Sequence, residues 1–119
     1  MDLKYFMLDG DKVTSTNDIH EWGKWMQTNN RQIGHDVING VKISTVFLGL
    51  DHSFMDEGPP VLFETMLFGE GANNEQWRYS SREMAEEGHA KIKERLEQFF
   101  AGQVEGISMR QYLEGPESD

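Results

Sequence analysis

Between Val41 and Phe68 the chain carries two apolar runs, VKISTVFLGL and VLFETMLF, separated by the connector DHSFMDEGPP. Both runs are rich in β-branched and aromatic residues and short enough to be strands rather than helices. The first follows Asn39-Gly40, whose residues tolerate positive φ and form the strongest short hairpin signal available. Two core strands and a hairpin commit the chain to a sheet, so the other segments must cover it. The first run alternates poorly, which predicts that both of its faces are at least partly buried.

The flanking segments supply the cover. Leu3 to Leu8 (LKYFML), the turn DGD at Asp9 to Asp11 and the following KVTST predict an N-terminal hairpin. A helix starts near Asp18, where Asp18 and Glu21 form a D-x-x-E capping box and Ile19, Trp22, Trp25 and Met26 share one face. Asn29-Asn30 ends it. IGHDVI from Ile33 is the strand before the Asn-Gly turn. EQWRYS is another, with Trp77 and Tyr79 alternating with Gln76 and Arg78 as on a strand with one wet face. Ser80 and Glu83 make an S-x-x-E box for a second helix, whose stripe runs through Ala85, Ile92, Leu96 and Phe99 to a stop at Gly102. A short last helix is expected around Met109 to Leu113, with a frayed end over 114–119. The order β-β-α-β-β-β-β-α predicts one α+β domain over 1–119, an antiparallel sheet of about six strands with helices packed against it. Sequence leaves open whether the N-terminal hairpin joins that sheet or extends from it.

Composition narrows the function classes. A chain of 119 residues without cysteine has no disulfide framework, no thiolate nucleophile and none of the best zinc ligand. The apolar runs are too broken for a transmembrane helix, and MDLKYFMLDGD lacks the pattern of a signal peptide, so the expected location is the cytoplasm. With 11 basic against 21 acidic residues the formal net charge is −10. Nucleic-acid phosphates and anionic lipid repel such a chain, so no direct nucleic-acid or membrane binding is expected. The acidic excess serves either solubility or docking on a basic partner.

Several residues are candidates for chemistry. Glu64 stands in an otherwise apolar strand, where a carboxylate is either desolvated in a cleft, as a general base would be, or paired. One choice of register places it opposite Arg78, and that cross-strand pair is the commoner explanation. Asp51-His52 falls where a strand leaves the sheet, with Asp56 nearby, but no pair of ligands has a recognised metal spacing, and a hydrogen-bonded turn is the commoner reading. His89 lies inside the apolar stripe of the second helix and should face the sheet, as a hydrogen-bonded core histidine or as part of a site with His52 and Glu64. Gly88 beside it would let the helix approach the strands. Trp22 and Trp25 are core residues or, if exposed, an anchor for a partner. There is no phosphate loop, nucleophile elbow or metal motif, and no cofactor is expected.

The blocks STVFLGLDHSF (Ser44 to Phe54), GPPVLFETMLFG (Gly58 to Gly69) and WRYSSREMAEEGH (Trp77 to His89) resemble a family of small proteins from bacteriophages and prophage-carrying bacterial genomes. The resemblance spans roughly residues 19 to 92 and includes Trp22 and Trp25. It implies a phage or prophage accessory gene and carries over no catalytic residue. The expected function is therefore a non-enzymatic accessory protein that binds a host or phage protein with a basic surface. A counter-defence inhibitor is the concrete form, with Trp22, Trp25, Asp51 and Arg78 as candidate binding residues. The rival is a small-ligand or metal-binding protein, hydrolases included, that uses His52, Glu64 and His89. A third reading is a nucleotide-signal sponge with Arg31, Arg78 or Arg82 lining a pocket. An open sheet edge or exposed tryptophans would favour a homodimer.

Overall fold

Asn39 and Gly40 adopt φ of 48° and 83°, the left-handed pair that a two-residue turn needs between twisted antiparallel strands. That turn joins β3 (Gln32–Ile38) to β4 (Val41–Phe47), and the meander continues through β5 (Phe63–Phe68) to β6 (Gln76–Tyr79). Before it come β1 (Tyr5–Asp9), β2 (Lys12–Thr16) and α1 (Ile19–Thr28); after it comes α2 (Arg82–Phe100). These assignments are from a computed structural model that describes residues 4–51, 58–69, 71–72 and 74–102. The fold is α+β, and every strand pairing is antiparallel. The N-terminal hairpin is a two-stranded sheet of its own, separate from the four-stranded one.

One face of the larger sheet lies under α2. Val41, Ile43, Thr45 and Phe47 of β4 point there and are buried, as are Phe63, Thr65 and Leu67 of β5. The intervening residues of β4 are half-buried or exposed, so the alternation that is faint in the sequence is clear in space. α2 contributes Ala85, His89, Ile92 and Leu96, the predicted stripe. The apolar groups form two clusters. Val41, Ile43, Leu67, Ile92 and Leu96 make one, and Phe47, Leu62, Phe63 and Ala85 the other. Burial of each large side chain among them is worth about 1.5–3 kcal/mol.

The hairpin and α1 dock at the Phe47 end. Phe6 N–H donates to Gly49 O at 3.0 Å, and Trp25 meets Phe47 edge-on with ring centroids 5.8 Å apart. Gly49 is fixed twice over, by its φ of 81° and by Met26 and Trp22, which occupy the space where a side chain would stand. Arg82 adds a polar tie, with Nη1 donating to Gly10 O and lying 3.2 Å from Asp11 Oδ1.

Two capping expectations are corrected. Asp18 does cap α1, accepting from His20 and Glu21 N–H. However, Glu21 does not reach back to the Asp18 backbone; it accepts from the Thr16 hydroxyl at 2.6 Å, while Asp18 N–H donates to Thr16 Oγ1. The cap of α2 is Ser81 rather than Ser80, and its hydroxyl accepts from Met84 N–H at 3.1 Å. The third position after Ser81 is a methionine, so the reciprocal half of a capping box cannot form there. The predicted ends hold for α1 at Asn29 and for α2 just before Gly102. His52, Phe54, Asp56, the expected short helix around Met109 to Leu113 and the tail 114–119 lie outside the described residues.

Candidate functional site

Where the two apolar clusters meet, the layer between α2 and the sheet is polar. Thr45 and Thr65 are direct cross-strand partners on β4 and β5. Both are fully buried, and their hydroxyls lie 2.5 Å apart. Thr45 Oγ1 is also 2.7 Å from His89 Nδ1, and His89 Nε2 is 2.7 Å from Asp36 Oδ2 on β3. Lys93, one turn further along α2, places Nζ 3.4 Å from the other Asp36 oxygen. A single chain of contacts therefore runs from the middle of the sheet, through the helix, to the surface.

The chain has a direction. The hydrogen bond from His89 and the neighbouring Lys93 hold the Asp36 carboxyl below the ordinary aspartate range, against the smaller opposing effect of burial. Asp36 is thus an acceptor at neutral pH, and His89 Nε2 carries the proton it accepts. In the neutral ring Nδ1 is then an acceptor, so the Thr45 hydroxyl donates to it and the Thr65 hydroxyl donates to Thr45. Space for the ring comes from Gly34, where a Cβ would stand 3.0 Å from His89 Nδ1 and Cε1. Gly88 does the same for Tyr79, whose ring fills the place of a side chain there.

Hydroxyl, imidazole and carboxylate in a row have the connectivity of a nucleophilic triad. Here the hydroxyl belongs to a threonine with 0% exposure, bonded on both sides, and His89 is only 8% exposed. No substrate carbonyl can reach Thr45 without opening the sheet from the helix. The arrangement works as a polar clamp that joins α2 to three strands.

The convergence of His52, Glu64 and His89 fails for the described pair. Thr65 faces α2, so Glu64, the adjacent residue of β5, points to the opposite face of the sheet from His89. There it is opposite Arg78, whose Nε donates to Glu64 Oε2 at 3.0 Å. The third member, His52, lies outside the described residues. Asp51 accepts from Val61 N–H at 2.8 Å and so ties the two ends of the connector together.

Trp22 and Trp25 are half-buried, each against another aromatic ring. Trp22 packs on Tyr5 at 5.1 Å between centroids, and Trp25 on Phe47. The three arginines of the nucleotide reading are each engaged elsewhere: Arg31 with Phe47 O, Arg78 with Glu64, and Arg82 with Gly10, Asp11 and Glu86. Among the described residues no group of three or more His, Asp or Glu is placed to hold a metal ion.

Asp36, Thr45 and Thr65, which complete this clamp, are not among the residues singled out from the sequence. The signal was present, since Thr45 and Thr65 occupy the inward parity between Ile43 and Phe47 and between Phe63 and Leu67. A second missed feature is a groove of about 290 Å³ between β6 and α2. Trp77, Tyr79, Met84 and Ile92 give it apolar walls, and Glu87, Gly88 and Lys91 also line it. The Tyr79 hydroxyl is buried with no hydrogen bond of ordinary geometry. Burial raises its pKa above 10.0, and the nearby Thr65 hydroxyl only partly offsets this.

The described elements define an α+β fold with a four-stranded antiparallel meander under one long helix. No protein-family model, curated protein or solved structure matches the chain. Among the described residues no helix is long and apolar enough to cross a membrane.

Proposed function

We propose that this chain is a non-enzymatic accessory protein that acts by binding a partner protein with a basic surface. The observation that carries the reading is the net charge of −10 on a chain whose described chemical residues are closed on one another. Glu64 is paired with Arg78, and His89 is held inside between Thr45 and Asp36. An acidic surface of this strength steers basic partners and repels acidic ones. In the setting implied by the phage resemblance, the partner is a protein of the bacterial host or of the phage, met in the cytoplasm. A counter-defence inhibitor that occupies a basic groove is the concrete form.

Affinity capture from a bacterial lysate, followed by titration of the purified partner, tests the reading. It requires a partner whose binding weakens steeply with salt. Recovery of no salt-sensitive basic partner, or a turnover activity that survives substitution of every surface acid, would overturn it.

A further inference from the structure

β6 brings together an apolar groove and a strand edge that is unpaired among the described residues, and we propose that the two take an extended, basic segment of a partner protein as an added strand. The inference rests on the partner-binding reading above and gives it a location and a mode.

The edge comes first. β6 is the last strand of the sheet and pairs only with β5 among the described residues. Leu67 N–H donates to Glu75 O at 2.9 Å, which sets the phase of the ladder. The alternation of an antiparallel pair then turns the backbone groups of Trp77 and Tyr79 toward β5. The N–H and C=O of Gln76 and Arg78 face away from it. Outward backbone groups of this kind are satisfied by another extended chain.

The groove lies on the same side as the side chains such a strand would present. Trp77 and Tyr79 point toward α2, because they are opposite Thr65 and Phe63. A strand added at the edge would therefore direct alternate side chains into the space between β6 and α2. About 290 Å³ is room for one or two side chains and is at the lower limit for a cofactor. Met84 stands 52% exposed in its wall, an apolar surface that no described residue covers. Glu87 and Lys91 balance each other within the groove, so the charge of the occupant is decided by the whole chain, whose acidic excess favours a segment carrying Lys or Arg. An extended segment alternating basic and apolar residues meets all three demands.

The probe is a short peptide alternating lysine with valine, titrated into the isotope-labelled full chain and followed by amide NMR. A peptide alternating glutamate with valine is the control. The expected result is that the lysine peptide moves the amides of Gln76 and Arg78, slows their exchange and shifts the Trp77 indole, while the glutamate peptide does none of this. Two variants guard against misfolding, each accepted only with native amide dispersion. Met84→Lys puts a charge of the peptide's own sign in the groove wall, and Gln76→Pro removes an outward N–H without taking a ladder bond. Each should weaken binding by about tenfold or more. Shifts confined to another surface, equal binding of both peptides, or unchanged binding by both variants would overturn the proposal. So would self-association of the unliganded chain that Gln76→Pro abolishes, which would make a second copy the occupant. If the lysate partner binds both variants as tightly as the parent, this inference fails and the partner-binding reading stands. If no basic partner binds the parent at all, that reading fails.

Discussion

Thr45 and Thr65 touch through their hydroxyls, yet the direction of the chain makes them unequal. With the His89 ring neutral and protonated on Nε2, Thr45 donates to Nδ1 and accepts from Thr65, whereas Thr65 accepts nothing from the clamp. Thr45→Val therefore strands both an imidazole nitrogen and the Thr65 hydroxyl inside the core, and it should cost about 2–4 kcal/mol in denaturant melts. Thr65→Val leaves Thr45 still donating to His89 and should cost less than about 1 kcal/mol. Equal losses would mean that the bonds run the other way. The two glycines beside the clamp are constrained by space. Gly88→Ala drives a methyl group into the Tyr79 ring and should destabilise by about 1–3 kcal/mol even though Ala is the better helix former. Gly34→Ala presses on His89 and should cost a similar amount.

At the level of elements, the polar layer sets how α2 and the strands line up. Apolar contacts on either side of it would tolerate sliding, but Thr45 meets Thr65 and His89 meets Asp36 in only one register. The layer also gives stability a pH dependence of definite sign. Asp36 has a lowered folded pKa, so its contribution is present above the ordinary aspartate range and is lost as pH falls through the folded value. Asp36→Asn should lower stability at neutral pH and flatten the loss below about pH 4, as measured by thermal melts across pH. Tyr79 works at the other end. Burial raises its pKa, so stability is intact below the ordinary tyrosine range and falls at alkaline pH as the unfolded phenol ionises first. Tyr79→Phe should change neutral-pH stability by less than about 1 kcal/mol and remove part of that alkaline loss. Much at this scale was legible in the sequence. The Asn-Gly turn, the strand composition and the 3.6-residue stripe of α2 rest on local patterns, and the elements stand where those patterns place them, although β4 stops at Phe47 rather than Leu50 and β5 starts at Phe63 rather than Val61. The polar layer was not, because it needs four segments far apart in sequence to meet. The shift of the cap to Ser81 turns on which of two adjacent serines first enters helical geometry, a choice that spacing alone leaves undecided.

For the whole molecule, the sequence read correctly that an acidic, cysteine-free chain folds as an α+β protein. It could not say which candidate residues shared a site, because a sheet separates adjacent residues onto opposite faces. Glu64 and Thr65 are neighbours in the chain, yet one meets Arg78 outside and the other lies at the centre of the core. With the sheet closing these groups on each other, the proposed function rests on the net charge of −10. That is the claim to test most directly, by measuring the dissociation constant of the captured partner from about 50 mM to about 500 mM salt. Over this range screening shortens the reach of surface charges severalfold. The affinity should fall by about tenfold or more, chiefly through slower association. An affinity that stays constant across that range would contradict it.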